Sequence, residues 1–212
     1  MERTLIATDV TYLVDQQAVI NQLEADLKNH MYDKNPKRFA HSLSVGRCAE
    51  TLARVYDADT FGARIAGILH DWEKLLSDAE TLELAEHFRI HTEAPYQKIV
   101  GLLHGPLAAK TLPAIYPWLS EEVLSAIQKH TAGDYQMSKL DKILYVADLI
   151  EPLRPDFEAV KVAREVYLQG GSLDELYESA FCGVMRYVIS SRSYLYPNSI
   201  ALYNEMIEKT SE

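Results

Sequence analysis

Apolar residues recur at helical spacing along most of the chain, beginning with Leu13, Ile20, Leu23, Leu27 and Met31. That spacing places them on one side of a helix. Asn35 and Pro36 interrupt the pattern, and Pro36 also suits the first turn of the next helix, where a missing N–H is tolerated. Phe39, Leu43, Ala49 and Leu52 mark the inner side of a helix over 37–56, with His41 in its first two turns. Asp57, Ala58 and Asp59 connect it to a third helix running from Thr60 to about Asp71. Ala63, Ala66 and Gly67 give that helix a small-residue face that admits a close neighbour. Its apolar run ends on the adjacent pair His70 and Asp71, and Lys74 follows one turn later. Buried carboxylates are rare unless paired or bound to a metal, so this pair is the first candidate for chemistry.

Capping signals divide the remainder of the chain. Ser77 with Glu80 opens a helix to about His87. After a loop containing Pro95, an apolar run over 99–103 delivers His104, and Gly105 and Pro106 start a helix to Tyr116. Ser120, followed by Glu121 and Glu122, caps a helix ending near His130, and 131–137 reads as a loop. Ser138 with Asp141 opens a helix over 139–151 with an apolar face of Leu140, Ile143, Leu144, Ala147 and Ile150. Asp148 stands at the edge of that face, and Pro152 and Pro155 end the helix. A helix over 156–169 stops at Gly170 and Gly171. Ser172 with Glu175 opens a long helix through Val188, which Tyr196, Pro197 and Asn198 break before Ser199 starts a short last one. The pattern contains no strand and no internal repeat. It predicts an all-α, single-domain, multi-helix protein: a flexible tail over 1–11, then one domain over 12–210. Within that domain, helices over 37–151 carry the candidate site and helices over 156–210 complete the fold.

Composition narrows the function. The 212 residues suit one large domain or two small ones, and 48% are apolar, enough for a real core. A net charge of -10 argues against a nucleic-acid or anionic-membrane surface. A phosphate ligand then needs a local device such as metals, a few Lys or Arg, or a helix N-terminus. The two cysteines, Cys48 and Cys182, lie far apart in helical patterns, which fits buried thiols in a reducing compartment. The opening MERTLIATDVTY has no apolar core of a signal peptide, and no run approaches a membrane span. The expected location is the cytoplasm.

His41, His70, Asp71, His104, His130 and Asp148 form the candidate constellation, mostly at helix ends beside apolar runs. Imidazole and carboxylate donors suit iron, manganese, cobalt, nickel or zinc, and neither cysteine is near the set. His41, His70, Asp71 and Asp148 can hold one ion, and Asp71 can bridge to a second held by His104 and His130. Paired ions clamp the attacking and leaving oxygens of a displacement at phosphorus. Each residue alone has a plainer explanation. Asp148 suits an ion pair with Lys142 or Arg154, and single histidines are common helix caps. His30, His87 and His91 sit in polar stretches near helix ends and are assigned no role.

The stretches FAHSLSVGRCAETLARVY, AGILHDWEKLL, LLHGPLAA, IQKHTAG and MSKLDKILYVADLIEPLRP resemble the HD-domain metal-dependent phosphohydrolases. Among these the resemblance is closest to the YqeK family of symmetrical dinucleoside-tetraphosphate hydrolases, and it covers about Arg38 to Asn204. Trp72 and Glu73, between the HD pair and Lys74, are a small departure. The resemblance implies an HD-domain phosphohydrolase fold, with His41, His70, Asp71 and Asp148 as principal metal ligands. His104 and His130 then bind a second metal or the phosphates, or protonate the leaving group. It also implies nucleotide contacts from Arg38, Lys74, Thr131 and Arg154, and from Arg192, Tyr196 and Asn204. Asp71, Lys74, His104 and His130 are the expected catalytic group. The implied cofactor is one or two divalent ions, with iron expected and manganese or cobalt as alternatives.

The implied reaction is attack of a hydroxide, formed at the metal, on diadenosine tetraphosphate, giving two ADP. The nearest alternative is the same chemistry on a nucleoside monophosphate, a cyclic dinucleotide or an alarmone. More distant alternatives are a diiron oxygenase and a nucleotide sensor without turnover. The expected partners are the nucleotide substrate and its ADP- or GDP-type product, with no nucleic acid or membrane, and a second copy of the chain in a homodimer.

Overall fold

The computed structural model describes residues 3–209, and within them the chain forms ten α-helices and no strand. They are α1 (Val14–Leu27), α2 (Pro36–Val55), α3 (Thr60–Leu69), α4 (Asp78–Phe88) and α5 (His104–Ile115), followed by α6 (Glu121–Lys129), α7 (Lys139–Ile150), α8 (Glu158–Leu168), α9 (Leu173–Ser190) and α10 (Pro197–Lys209). A wider π-helical turn, Lys28–Tyr32, continues α1, and two short 3-10 turns, Tyr96–Lys98 and Val100–Leu102, lead into α5. Of the expected tail and domain, Met1, Glu2 and Thr210 lie outside the described residues.

The predicted caps form. The side chains of Ser77, Ser138 and Ser172 each accept the backbone N–H three residues on, from Glu80, Asp141 and Glu175, as capping boxes. Asn35 accepts from the Arg38 N–H and Ser120 from the Val123 N–H. Each such cap contributes about 1 kcal/mol by satisfying an orphan donor of the first turn.

The main core runs through α1, α2, α3, α6, α7 and α9, with Leu27, Leu52, Ile68, Leu69, Ile127 and Phe181 among its fully buried side chains. A smaller cluster of Ala85, Ile90, Ile99, Leu103 and Leu107 seats α4 against the start of α5. Two close approaches set the geometry of the site. A Cβ on Gly67 would stand 2.5 Å from the Gly46 Cα, so α3 lies directly on the backbone of α2. A Cβ on Gly105 would stand 2.8 Å from the Ile127 carbonyl oxygen, so the start of α5 lies on the end of α6. The first contact sets His41 beside His70, and the second sets His104 beside His130.

The described part of the N-terminal segment, residues 3–13, has no regular structure and makes contacts with the helices. Arg3 donates to the carbonyls of Tyr167 and Gly171 at 2.9 and 2.8 Å, with its guanidinium over the rings of Tyr56 and Tyr167. The Ala7 N–H donates to Thr51 at 2.9 Å, and the Tyr12 hydroxyl to Glu50 at 2.5 Å. Periodicity does not register contacts of this kind. Among the described residues no helix is long and apolar enough to cross a membrane.

Candidate metal centre

Four histidines reach the centre from four different elements, and each is anchored by its Nδ1. His41, on α2, has Nδ1 3.0 Å from Glu151 Oε1. His70 follows the last residue of α3, and its Nδ1 lies 2.8 Å from the Gly67 carbonyl oxygen. His104 opens α5 with Nδ1 3.0 Å from the Gly101 carbonyl oxygen. His130 follows α6 with Nδ1 2.6 Å from the Ile127 carbonyl oxygen. At His41, His70 and His130 a carbonyl or carboxylate beside Nδ1 places the proton there, which leaves Nε2 with a bare lone pair. His41, His70 and His104 turn Nε2 toward Asp71, and His130 turns its Nε2 toward that of His104.

The carboxylates complete the set. Asp71 is 2% exposed and points its two oxygens in different directions. Its Oδ2 lies 3.2 Å from His70 Nε2 and 3.7 Å from His41 Nε2, while its Oδ1 lies 3.1 Å from His104 Nε2. Asp148, half-buried on α7, has Oδ1 2.9 Å from His41 Nε2 and 3.7 Å from His70 Nε2. His104 and His130 stand Nε2 to Nε2 at 3.1 Å. Three groups bring all their donor atoms within 4.8 Å of one another: His41, His70 and Asp71; His70, His130 and Asp148; and Asp71, His104 and His130.

These residues fit a divalent ion. The Nε2 atoms of His41 and His70 are buried and make no hydrogen bond, although carboxylate oxygens lie close by. Buried polar atoms rarely go unpartnered, and here the unpartnered ones are lone pairs converging on carboxylates. That is the donor set of a metal site built from imidazole and carboxylate.

Charge in the site is strongly perturbed. Burial alone would raise the Asp71 carboxyl, but His70 and His104 hold it well below the usual range. Burial likewise opposes ionisation of Asp148, and His41 and Arg154 outweigh it and draw its carboxyl down. Burial, with His70 and His104 adjacent, pushes His130 down to about 3, and burial also lowers His104. Both rings are therefore neutral near neutral pH.

Three cations edge the same cleft. Arg38 Nη1 lies 2.7 Å from Asp71 Oδ2. Arg154 Nη2 lies 2.5 Å from Asp148 Oδ1, and its Nε donates to the Asp148 carbonyl at 2.7 Å. Lys74 Nζ stands 3.1 Å from His104 Nδ1, and burial draws its ammonium below the ordinary value. The cleft is lined by Arg38, Asp71, Lys74, His104, Asp148 and Arg154, together with His130 and Thr131. Of the two partners considered for Asp148, Arg154 takes it, and Lys142 pairs with Asp174 at 2.6 Å.

The remaining expectations separate. Tyr196 lines a neighbouring cleft, and its hydroxyl accepts the Glu93 N–H at 3.2 Å. Arg192 and Asn204 are exposed and line neither cleft, so the structure does not bring them to the centre. Arg192 has a left-handed backbone with φ 55° at the turn after α9, which carries its side chain away from the regular helix face. His30 stacks on Trp72 with ring centroids 4.1 Å apart, and His87 and His91 are exposed. The sequence does not mark Glu151, because its role is visible only through His41. The one signal was its place three residues after Asp148, on the same helix face.

The model of the HD domain matches residues 38–153, more than half of the chain, and the chain is an HD-domain protein. HD-domain hydrolases bind divalent metals, in keeping with the donor groups described above. A symmetrical bis(5'-nucleosyl)-tetraphosphatase of Staphylococcus aureus is 34% identical over 81% of this chain and 84% of its own length. Its namesake from Halalkalibacterium halodurans is 31% identical over 80% of this chain and 89% of its own. The crystal structure of an HD superfamily hydrolase from Clostridium acetobutylicum, described as involved in NAD metabolism, superposes with a TM-score of 0.79. It has 32% identity and covers 89% of this chain and 97% of its own. Within the HD class, the chain belongs to the family of the symmetrical bis(5'-nucleosyl)-tetraphosphatases.

Proposed function

We propose that this protein is a metal-dependent hydrolase that cuts diadenosine tetraphosphate symmetrically, with one water, into two ADP. The observation that carries the reading is the placement of Asp71. Its two oxygens face two different histidine sets, in a cleft edged by Arg38, Lys74 and Arg154. In a chain of net charge -10, these cations are the local device that a polyphosphate requires.

His41, His70, Asp71 and Asp148 would hold one divalent ion, and Asp71, His104 and His130 a second. A divalent ion there supplies acidified water and neutralises phosphate charge. Iron, which the family resemblance implies, is our assignment, with manganese or cobalt as alternatives, and mixed imidazole and carboxylate donors suit all three. Arg38, Lys74 and Arg154 bind the non-bridging oxygens and offset the charge of the departing ADP. Positioning and charge stabilisation are most of what phosphoryl transfer requires. The depressed basicity of His104 and His130 favours them as neutral donors rather than as acids for the leaving group. Thr131, whose hydroxyl donates to the Leu102 carbonyl at 3.0 Å, fixes the cleft wall beside them.

Two further elements belong to this reading. A cytoplasmic location is supported by the free Cys48 and Cys182. A homodimer is supported by Ile189, Ile200 and Tyr203, exposed on α9 and α10.

Asp71→Ala tests the assignment. Metal content and diadenosine tetraphosphate hydrolysis should be lost together in a protein that keeps its helical circular dichroism. Retained turnover would contradict the central role of Asp71.

A further inference from the structure

Symmetrical cleavage imposes a geometric condition. The broken bond lies midway along the tetraphosphate, so an identical nucleoside diphosphate extends on each side of that bond. A centre that makes this cut needs a nucleoside seat on both sides. The cleft lined by Met185, Tyr194 and Tyr196 shares Thr131 and Tyr145 with the cleft of the candidate metal centre, and we take it as the seat of the first nucleoside.

Resting on the proposed hydrolysis, we propose that Phe157 and Tyr187 form the seat for the second nucleoside. Both line the cleft of the candidate metal centre next to Arg154, and neither lines the cleft of Tyr194 and Tyr196. Their ring centroids are 5.4 Å apart with planes inclined by 46°, an open wedge rather than a closed stack. Phe157 is half-buried and packs against the core, whereas Tyr187 is 56% exposed. One ring is thus a fixed floor and the other presents its surface to solvent.

The pair is held by helix packing. A Cβ on Gly183 would stand 2.7 Å from the Ala159 Cβ, so α9 meets α8 directly at this point. Phe157 lies two residues before Ala159 and Tyr187 four residues after Gly183, which brings the rings together above that contact. The Pro155 turn joins Phe157 to Arg154, so a phosphate clamp and an aromatic floor lie side by side. Flat aromatic surface beside a guanidinium recognises a base attached to a phosphate, and stacking accepts any base.

The test combines ADP binding with kinetics on the metal-loaded protein. Calorimetric titration of the wild type with ADP should give two ADP per chain. Tyr187→Ala should weaken one of these about tenfold and leave the other unchanged. The same variant should raise KM for diadenosine tetraphosphate about tenfold with kcat within twofold, and Tyr187→Phe should restore both values. Tyr187 is exposed, so its loss should leave folding intact, and an unchanged thermal midpoint checks this. A single ADP per chain in the wild type overturns the seat, as does a Tyr187→Ala variant that matches the wild type in KM and ADP binding. A wild type that binds two ADP but leaves diadenosine tetraphosphate intact overturns the proposed reaction instead.

Discussion

Glu151 Oε1 lies 3.0 Å from His41 Nδ1, in a position where Glu151 is itself 1% exposed. Its other oxygen accepts the Leu153 N–H at 2.6 Å. Burial works against its ionisation, but His41 and Ser44 hold its carboxyl below the ordinary range. The carboxylate therefore fixes the His41 tautomer and keeps Nε2 free to coordinate. Glu151→Gln should weaken metal binding about 10- to 100-fold, the usual cost of losing such an outer partner. Metal titration of the anaerobic apo-protein checks this, and an unchanged affinity would show that His41 needs no such support.

Gly67→Ala places a methyl 2.5 Å from the Gly46 Cα and 2.6 Å from its nitrogen. Backbone cannot yield as a flexible side chain can. The variant should lose about 1–3 kcal/mol despite the better helix propensity of alanine. It should also bind metal less well, because α2 carries His41 and the end of α3 leads into His70. Gly101→Ala is the matched control, since a Cβ there meets nothing within 4 Å. Urea denaturation of the two variants should separate them clearly. Equal stability would show that the contact between α2 and α3 is not tight.

The thiols should differ in reactivity. Cys48 is fully buried and Cys182 partly so, and burial raises both above the ordinary thiol range, Cys48 far more. An alkylating reagent at neutral pH should modify Cys182 slowly and spare Cys48 until the protein unfolds. Mass spectrometry of the labelled peptides reads this directly. Early labelling of Cys48 would indicate opening of α2.

Much of the candidate site is legible because its residues are marked twice in the sequence. His70 and Asp71 end an apolar helix and Asp148 edges another, so residue type and helical period point to the same positions. The structure ends α3 at Leu69, which lets the adjacent His70 and Asp71 face one centre. What stayed hidden depends on contacts between distant segments. Glu151 acquires a role only when α2 lies on the end of α7, and Arg3 only when Tyr56 meets Tyr167. Arg192 and Asn204 carried a motif without a fold-level constraint, and both fall outside the cleft. The wedge of Phe157 and Tyr187 depends on the packing of α8 against α9, which neither helix encodes alone.

The central claim is symmetrical cleavage at the Asp71 centre. Purified protein loaded anaerobically with iron should convert diadenosine tetraphosphate to ADP alone, two per substrate, when products are resolved by anion-exchange chromatography. AMP with ATP as the products, or oxygen consumption with the tetraphosphate left intact, would contradict it.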